Sequence, residues 1–180
     1  MSENTITVTG VIEFDPKDYT KKHKSQGVWK RVAMIKFHRS DLCEYYAWFI
    51  KTRYNLPLAK PLRNAHISFI NDRGSDTNGK WEEVKKKWNG KKIDVTLSVD
   101  PRTNATHWWL LVPEENREEI QAIRKEVGLE RPNFGLHMTI GYARNSYDPV
   151  EEGVNGVKAK RMNEEHSEYI HRLLKKELIR

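Results

Sequence analysis

At 180 residues, 37% hydrophobic and 32% charged, the chain has room for one globular domain or two small lobes, and six Trp, seven Tyr and five Phe supply bulk for a core. A formal net charge of +7 and a pI near 9.4 favour anionic partners such as a nucleotide or RNA, without singling one out. The single Cys43 excludes an internal disulfide and argues against a cysteine-built metal cage, and no apolar run nears the roughly 20 residues that cross a bilayer.

Met1–Thr5 lacks the basic start and apolar core of a signal peptide, so the expectation is a cytoplasmic protein with no membrane partner and no evident protein partner. Thr5 to Phe14 alternates β-branched and polar residues and predicts a first strand, with Gly10 marking a bulge or a close backbone approach. Asp15 to Gln26 reads as a lysine-rich connection, either a solvated loop or a phosphate-contacting one. Trp29 to Phe37 predicts a second strand. Ser40 suits an N-cap for a helix through Tyr54, whose six large apolar residues (Leu42, Tyr45, Tyr46, Trp48, Phe49, Ile50) predict a largely buried element. Asn55 and Pro57 end it.

Asn64 to Ile70 predicts a strand, Asn71 to Lys80 an exposed turn, and Trp81 to Trp88 a short helix ended by Asn89-Gly90. Lys85, Lys86, Lys87, Lys91 and Lys92 form the densest basic cluster, which on a helix usually makes a solvated face. Strands follow over Lys92–Val99 and His107–Val112, then a helix over Glu114–Val127 stopped by Gly128. Gly135 to Gly141 predicts another strand, 145–156 a loop, and 163–180 a helix with a stripe of Tyr169, Ile170, Leu173, Leu174 and Leu178.

Two of these strands share a pattern. His66-Ile67-Ser68 and His137-Met138-Thr139 each set a histidine two residues before a small hydroxyl residue, within an apolar run. Side chains alternate along a strand, so each histidine shares a face with its hydroxyl while Ala65, Ile67 and Phe69, or Leu136, Met138 and Ile140, line the other. Two histidines, one neutral and one protonated, can pass protons to and from a phosphate ester near neutral pH. Two hydroxyls can donate to the phosphate oxygens that gain charge in the transition state. His107 lacks the hydroxyl, since residue 109 is Trp, and does not join the pair.

The paired pattern resembles the 2H phosphoesterase superfamily, whose members place two such motifs about a pseudo-twofold axis in a cleft between lobes. The resemblance implies an α+β, two-lobed fold of antiparallel sheets flanked by helices, with residues 1–180 forming a single domain around a central cleft. The predicted order, in which each motif strand follows two strands and a helix, agrees with this. A narrower likeness lies in Gly10–Phe14, Thr20–Gln26, Trp29–Met34 and Gly135–Ala143, which are similar to phage anti-CBASS proteins. Those are 2H phosphodiesterases that open the cyclic di- and trinucleotides with which bacteria signal infection. That group usually carries Thr in both hydroxyl positions, whereas Ser68 stands in the first here; serine keeps the donor.

The resemblance implies His66 and His137 as general acid and base, Ser68 and Thr139 as phosphate holders, and no cofactor or metal. The substrate would be a cyclic oligonucleotide, in the cytoplasm of an infected bacterial host. Tyr19, Trp29, Trp81 and Trp88 lie in or beside basic segments and are candidates to stack on bases, with Lys22 and His23 as candidate phosphate contacts. A second enzymatic reading keeps the fold and acts on RNA ends carrying a 2′,3′-cyclic phosphate, or on 2′-5′ linkages. A nucleic-acid-binding module without catalysis would suit the lysine and aromatic content, but needs no pair of strand histidines. A metal site built on His66 and His137 lacks an adjacent Asp or Glu to complete it.

Overall fold

The computed structural model describes residues 4–18, 27–28, 31–38, 41–61, 64–71, 79–103, 107–132 and 134–143. The elements are, in chain order, β1 (Thr5–Phe14), β2 (Lys17–Asp18), β3 (Gly27–Val28), β4 (Ala33–Lys36), α1 (Asp41–Tyr54), β5 (Leu58–Ala59), β6 (His66–Ile70) and α2 (Trp81–Trp88). After them come β7 (Lys92–Ser98), β8 (Arg102–Thr103), β9 (His107–Leu111), a 3-10 turn (Glu114–Asn116), α3 (Glu118–Glu126) and β10 (His137–Ala143). The protein is α+β. The chain divides into two compact units, Met1–Arg39 with Leu62–Asp100 and Leu110–Met138, and Ser40–Pro61 with Pro101–Trp109 and Thr139–Arg180.

The first unit is built on an antiparallel sheet in the order β6-β4-β1-β7. One face is apolar: Ile12 and Phe14, Ala33 and Ile35, Ile67 and Phe69, Ile93, Val95 and Leu97 are all buried. Helix α2 packs on β1, where the Trp81 ring meets Phe14 edge-on at 5.0 Å, and α3 packs on β6. Gly10 marks a close approach: a Cβ there would collide with Ile35 and come within 2.9 Å of the Phe37 ring. The pairing of β1 with β7 runs through Gly10 without interruption, so it is no bulge.

The base of the β2–β3 ribbon is clamped. The Asp15 amide donates to the Val32 carbonyl at 2.8 Å, and the Asp15 carboxylate accepts from the Arg31 amide, the Trp81 indole and the Lys85 ammonium at 2.6, 3.0 and 2.7 Å. Arg31 has φ 61°, which interrupts an extended chain, so the strand expected over Trp29–Phe37 is in the described residues the shorter β4. The single helix expected over Glu114–Val127 is likewise a 3-10 turn followed by α3, with the Arg117 guanidinium holding the Val112 carbonyl at 2.7 Å between them. Gly128 ends α3 at φ 80°, as its place in the sequence predicts.

A second sheet has the order β5-β10-β9-β8, and the boundary between the units falls within β9 and β10. In the second unit β5 pairs with the end of β10, Ala59 opposite Tyr142. Gly141 permits this pairing, since a Cβ there would sit 2.7 Å from the Ala59 carbonyl. Helix α1 turns Cys43, Tyr46 and Ile50 inward, and the Tyr54 ring stacks on Trp108 at 5.9 Å.

The expectation that α1 is largely buried is corrected. Tyr45 is 55% and Trp48 60% exposed, their rings 6.1 Å apart. At about 100° per residue both point well away from the Cys43 stripe, and one stripe is what α1 buries. Asn55, at φ 52°, closes the helix where expected. Among the described residues no helix is long and apolar enough to cross a membrane. The expected loop at 145–156 and helix at 163–180 lie outside the described residues.

Candidate active site

His66 opens β6 and His137 opens β10. On β6 the burial alternates as the sequence pattern predicts: Ala65, Ile67 and Phe69 are buried, while His66 and Ser68 are half-buried. Exposing a buried Ile or Phe side chain costs about 1.5–3 kcal/mol. A slip of one residue would expose Ile67 and Phe69 together, so the apolar face fixes which way His66 and Ser68 point. The same holds on β10, where Leu136, Met138 and Ile140 are buried and His137 and Thr139 half-buried. His66, Ser68 and His137 belong to the first unit and Thr139 to the second.

Both histidines are oriented by the same local device. The Nδ1 of His66 lies 3.0 Å from the Asn64 carbonyl, and that of His137 lies 2.7 Å from the Gly135 carbonyl, each two residues back. A carbonyl oxygen only accepts, so each Nδ1 donates. The neutral ring then keeps its proton on Nδ1 and its lone pair on Nε2, and the protonated ring carries an N–H at Nε2. Asn64 adopts φ 58°, a left-handed turn that Asn tolerates, immediately before the strand. Gly135 fits where a Cβ would come within 3.0 Å of the Leu111 side chain.

Each hydroxyl strand is also held from neighbouring elements. Met34 on β4 pairs with Ser68, and Lys36 pairs with His66. In the second unit the Cys43 thiol donates to the Thr139 carbonyl at 3.5 Å. Burial, together with the nearby Glu44 carboxylate, pushes that thiol up to about 11, so Cys43 is no nucleophile at neutral pH. In the first unit Arg124, 2% exposed, donates to the Phe69 carbonyl of β6 at 2.6 Å and the Glu130 carbonyl at 2.9 Å, tying the far end of β6 to the chain just after α3. Among the described residues no group of three or more His, Cys, Asp and Glu is placed to hold a metal ion.

The candidate base and phosphate contacts divide. Tyr19, Lys22, His23 and Trp29 lie outside the described residues. Trp81 is corrected to a core residue: it is 6% exposed, its ring packed on Phe14 and its indole N–H bound to Asp15, which leaves no open face for a base. Trp88 is half-buried and engaged, donating to Glu126 at 3.1 Å with the Lys87 and Lys91 ammoniums 5.1 and 4.9 Å from its ring centroid. A stacked base would compete with those lysines for the ring. Lys87 also pairs with Glu126 at 2.8 Å, so part of the basic cluster is a self-satisfied surface network.

The neighbours of the motif strands escaped sequence reasoning. Lys36 and Glu13, paired at 2.8 Å, share the half-buried face of the first sheet with His66. Lys36 ends an otherwise apolar strand and Glu13 is the one charged residue of β1, the one signal that could have drawn attention to them. The chain matches no family model, no curated protein and no solved structure.

Proposed function

We propose that the protein is a metal-independent phosphodiesterase of the 2H type that opens 3′-5′ bonds of cyclic di- or trinucleotides. The observation that carries this reading is the duplicated device at His66 and His137: two strand-opening histidines, each two residues before a hydroxyl, each with Nδ1 bound to the carbonyl two residues back. A carbonyl-anchored ring offers Nε2 alone for proton transfer, as a lone pair on one histidine and an N–H on the other.

In this reading one imidazole takes the proton of a ribose 2′-hydroxyl through Nε2. The 2′-oxygen attacks the adjacent phosphorus in line, and the bond from phosphorus to the 5′-oxygen breaks. The second imidazolium gives its Nε2 proton to that departing oxygen. Ser68 and Thr139 donate to the non-bridging oxygens, whose charge grows in the transition state. The product is a linear nucleotide ending in a 2′,3′-cyclic phosphate, which water opens by the reverse proton traffic. No step needs a metal. Such an activity would remove a bacterial infection signal in the host cytoplasm, as the resemblance to anti-CBASS proteins implies.

The test is incubation with a panel of cyclic dinucleotides, a cyclic trinucleotide and RNA ending in a 2′,3′-cyclic phosphate, all in EDTA. Opening of a cyclic nucleotide supports the reading; turnover of the RNA end alone transfers the site to RNA processing. Activity lost in EDTA and restored by a divalent cation refutes the two-histidine mechanism.

A further inference from the structure

The face of the first sheet that carries His66 and Ser68 continues across β4 and β1. Lys36 stands directly opposite His66 in the β4–β6 pairing, and Met34 opposite Ser68. One strand further, Glu13 stands opposite Met34 and Val11 opposite Lys36. The Lys36 ammonium reaches diagonally to the Glu13 carboxylate at 2.8 Å, with the two side chains 40% and 30% exposed. An imidazole that must carry a proton for part of each cycle therefore has a lysine as its cross-strand neighbour, whose ammonium rests on Glu13 of β1 and would turn back over β4 to meet an anion at His66.

Like charges directly opposite on a sheet are unfavourable, and the arrangement becomes favourable when an anion sits between them. Opposite residues have Cβ atoms about 4.5–5.5 Å apart, so a lysine stem places its head within reach of anything bound at the facing imidazole. Lysine has three N–H donors. Lys36 can keep Glu13 with one and give another to an incoming oxygen. Glu13 holds the stem along the sheet face, and an exposed pair of this kind is weak enough to yield to a phosphate.

We propose that Lys36 is a substrate-binding residue that donates to a non-bridging oxygen of the phosphate ester held at His66, with Glu13 as its positioning residue. The inference deepens the phosphodiesterase reading and rests on it for the identity of the ester. It differs from a structural ion pair in what it predicts. Removing the ammonium should weaken ground-state binding of a phosphate more than it alters folding or proton transfer.

The experiment has two arms. In the first, KM and kcat for the preferred cyclic nucleotide are compared among wild type, Lys36→Met, Lys36→Arg and Glu13→Gln, with folding checked by thermal melting. Lys36→Met should raise KM about ten- to a hundredfold, as expected for a lost charge-assisted hydrogen bond, and change kcat far less. Lys36→Arg should restore most of the binding, and Glu13→Gln should fall between. In the second arm inorganic phosphate is titrated while the His66 ring resonances are followed by NMR. Wild type should shift saturably and Lys36→Met should need a much higher concentration. If Lys36→Met misfolds, Lys36→Gln takes its place in both arms.

Unchanged KM and unchanged phosphate affinity in a folded variant would overturn the proposal while leaving the two-histidine reading intact. If wild type opens no cyclic nucleotide, the catalytic reading fails, and the phosphate titration still decides whether Lys36 binds an anion at His66. A wild-type protein whose His66 ignores phosphate would overturn the proposal as well.

Discussion

His66 and His137 draw their orientation from the backbone carbonyls of Asn64 and Gly135, so the catalytic reading leans on few side chains. Replacing either histidine with alanine should lower turnover about 10²- to 10⁴-fold in a folded protein. The double variant should be little worse than the poorer single one, because groups that act as a unit are not additive. Ser68→Ala and Thr139→Ala should each cost about 10²- to 10³-fold, the usual loss of one transition-state donor. His38→Ala, at an exposed position in no motif, should leave turnover near wild type. Steady-state kinetics with melting controls checks all of these. Near-normal turnover in a folded His66→Ala protein would sink the assignment. The dependence of kcat/KM on pH should be bell-shaped, since one imidazole must be neutral while the other is charged.

Among the elements, those set by a repeating apolar period were the most legible. β1 and α2 run over the predicted residues, and β6 and β10 bury the faces that alternation assigns them. What the period did not reveal are the two-residue strands β2, β3, β5 and β8, which are too short to show alternation and exist through their pairing partners. Nor did it reveal that Tyr45 and Trp48 face outward, since exposure is decided by what packs on α1. At the foot of the β2–β3 ribbon Asp15 depends on three donors from distant positions, which no local pattern announces.

Burial raises the Asp15 carboxyl, but the Lys85 and Trp81 hydrogen bonds, the Arg31 amide and the Lys85 charge outweigh it and hold the group below its ordinary value. A lowered folded value means stability present above the unfolded value of about 3.9 and lost as the pH falls through the folded one. Asp15 stands at φ 49°, a left-handed backbone that Asn also tolerates, so Asp15→Asn keeps the turn and removes the charge. It should destabilise the fold by about 1–3 kcal/mol at neutral pH, with a smaller difference from wild type in strong acid. Urea unfolding at neutral pH and near pH 2 would show it, and equal losses at both would be the wrong result.

For the whole molecule, an excess of seven positive charges should make nucleotide binding weaken as salt rises from about 50 to 200 mM. Titration of one cyclic dinucleotide at both salts measures this. The recurrence of the histidine-hydroxyl pattern on two strands was readable because each motif is local in sequence. The partners of those strands were not: Lys36 meets His66 only through the order and register of the sheet. The division into two units, with its boundary inside β9 and β10, likewise follows from long-range pairing that no window of sequence contains.

The solitary thiol of Cys43 gives the molecule a chemical clock. It is 3% exposed, donates to the Thr139 carbonyl, and is pushed up to about 11 by burial, so an alkylating reagent at neutral pH can react only when the packing around Cys43 opens. With no other cysteine in the chain, every labelled molecule records one such opening. The labelling rate reads the local stability of the packing around Cys43, the Thr139 carbonyl included, without any engineered probe. A ligand that grips Thr139 should slow the clock, and one that binds elsewhere on the protein should leave it running at its own pace.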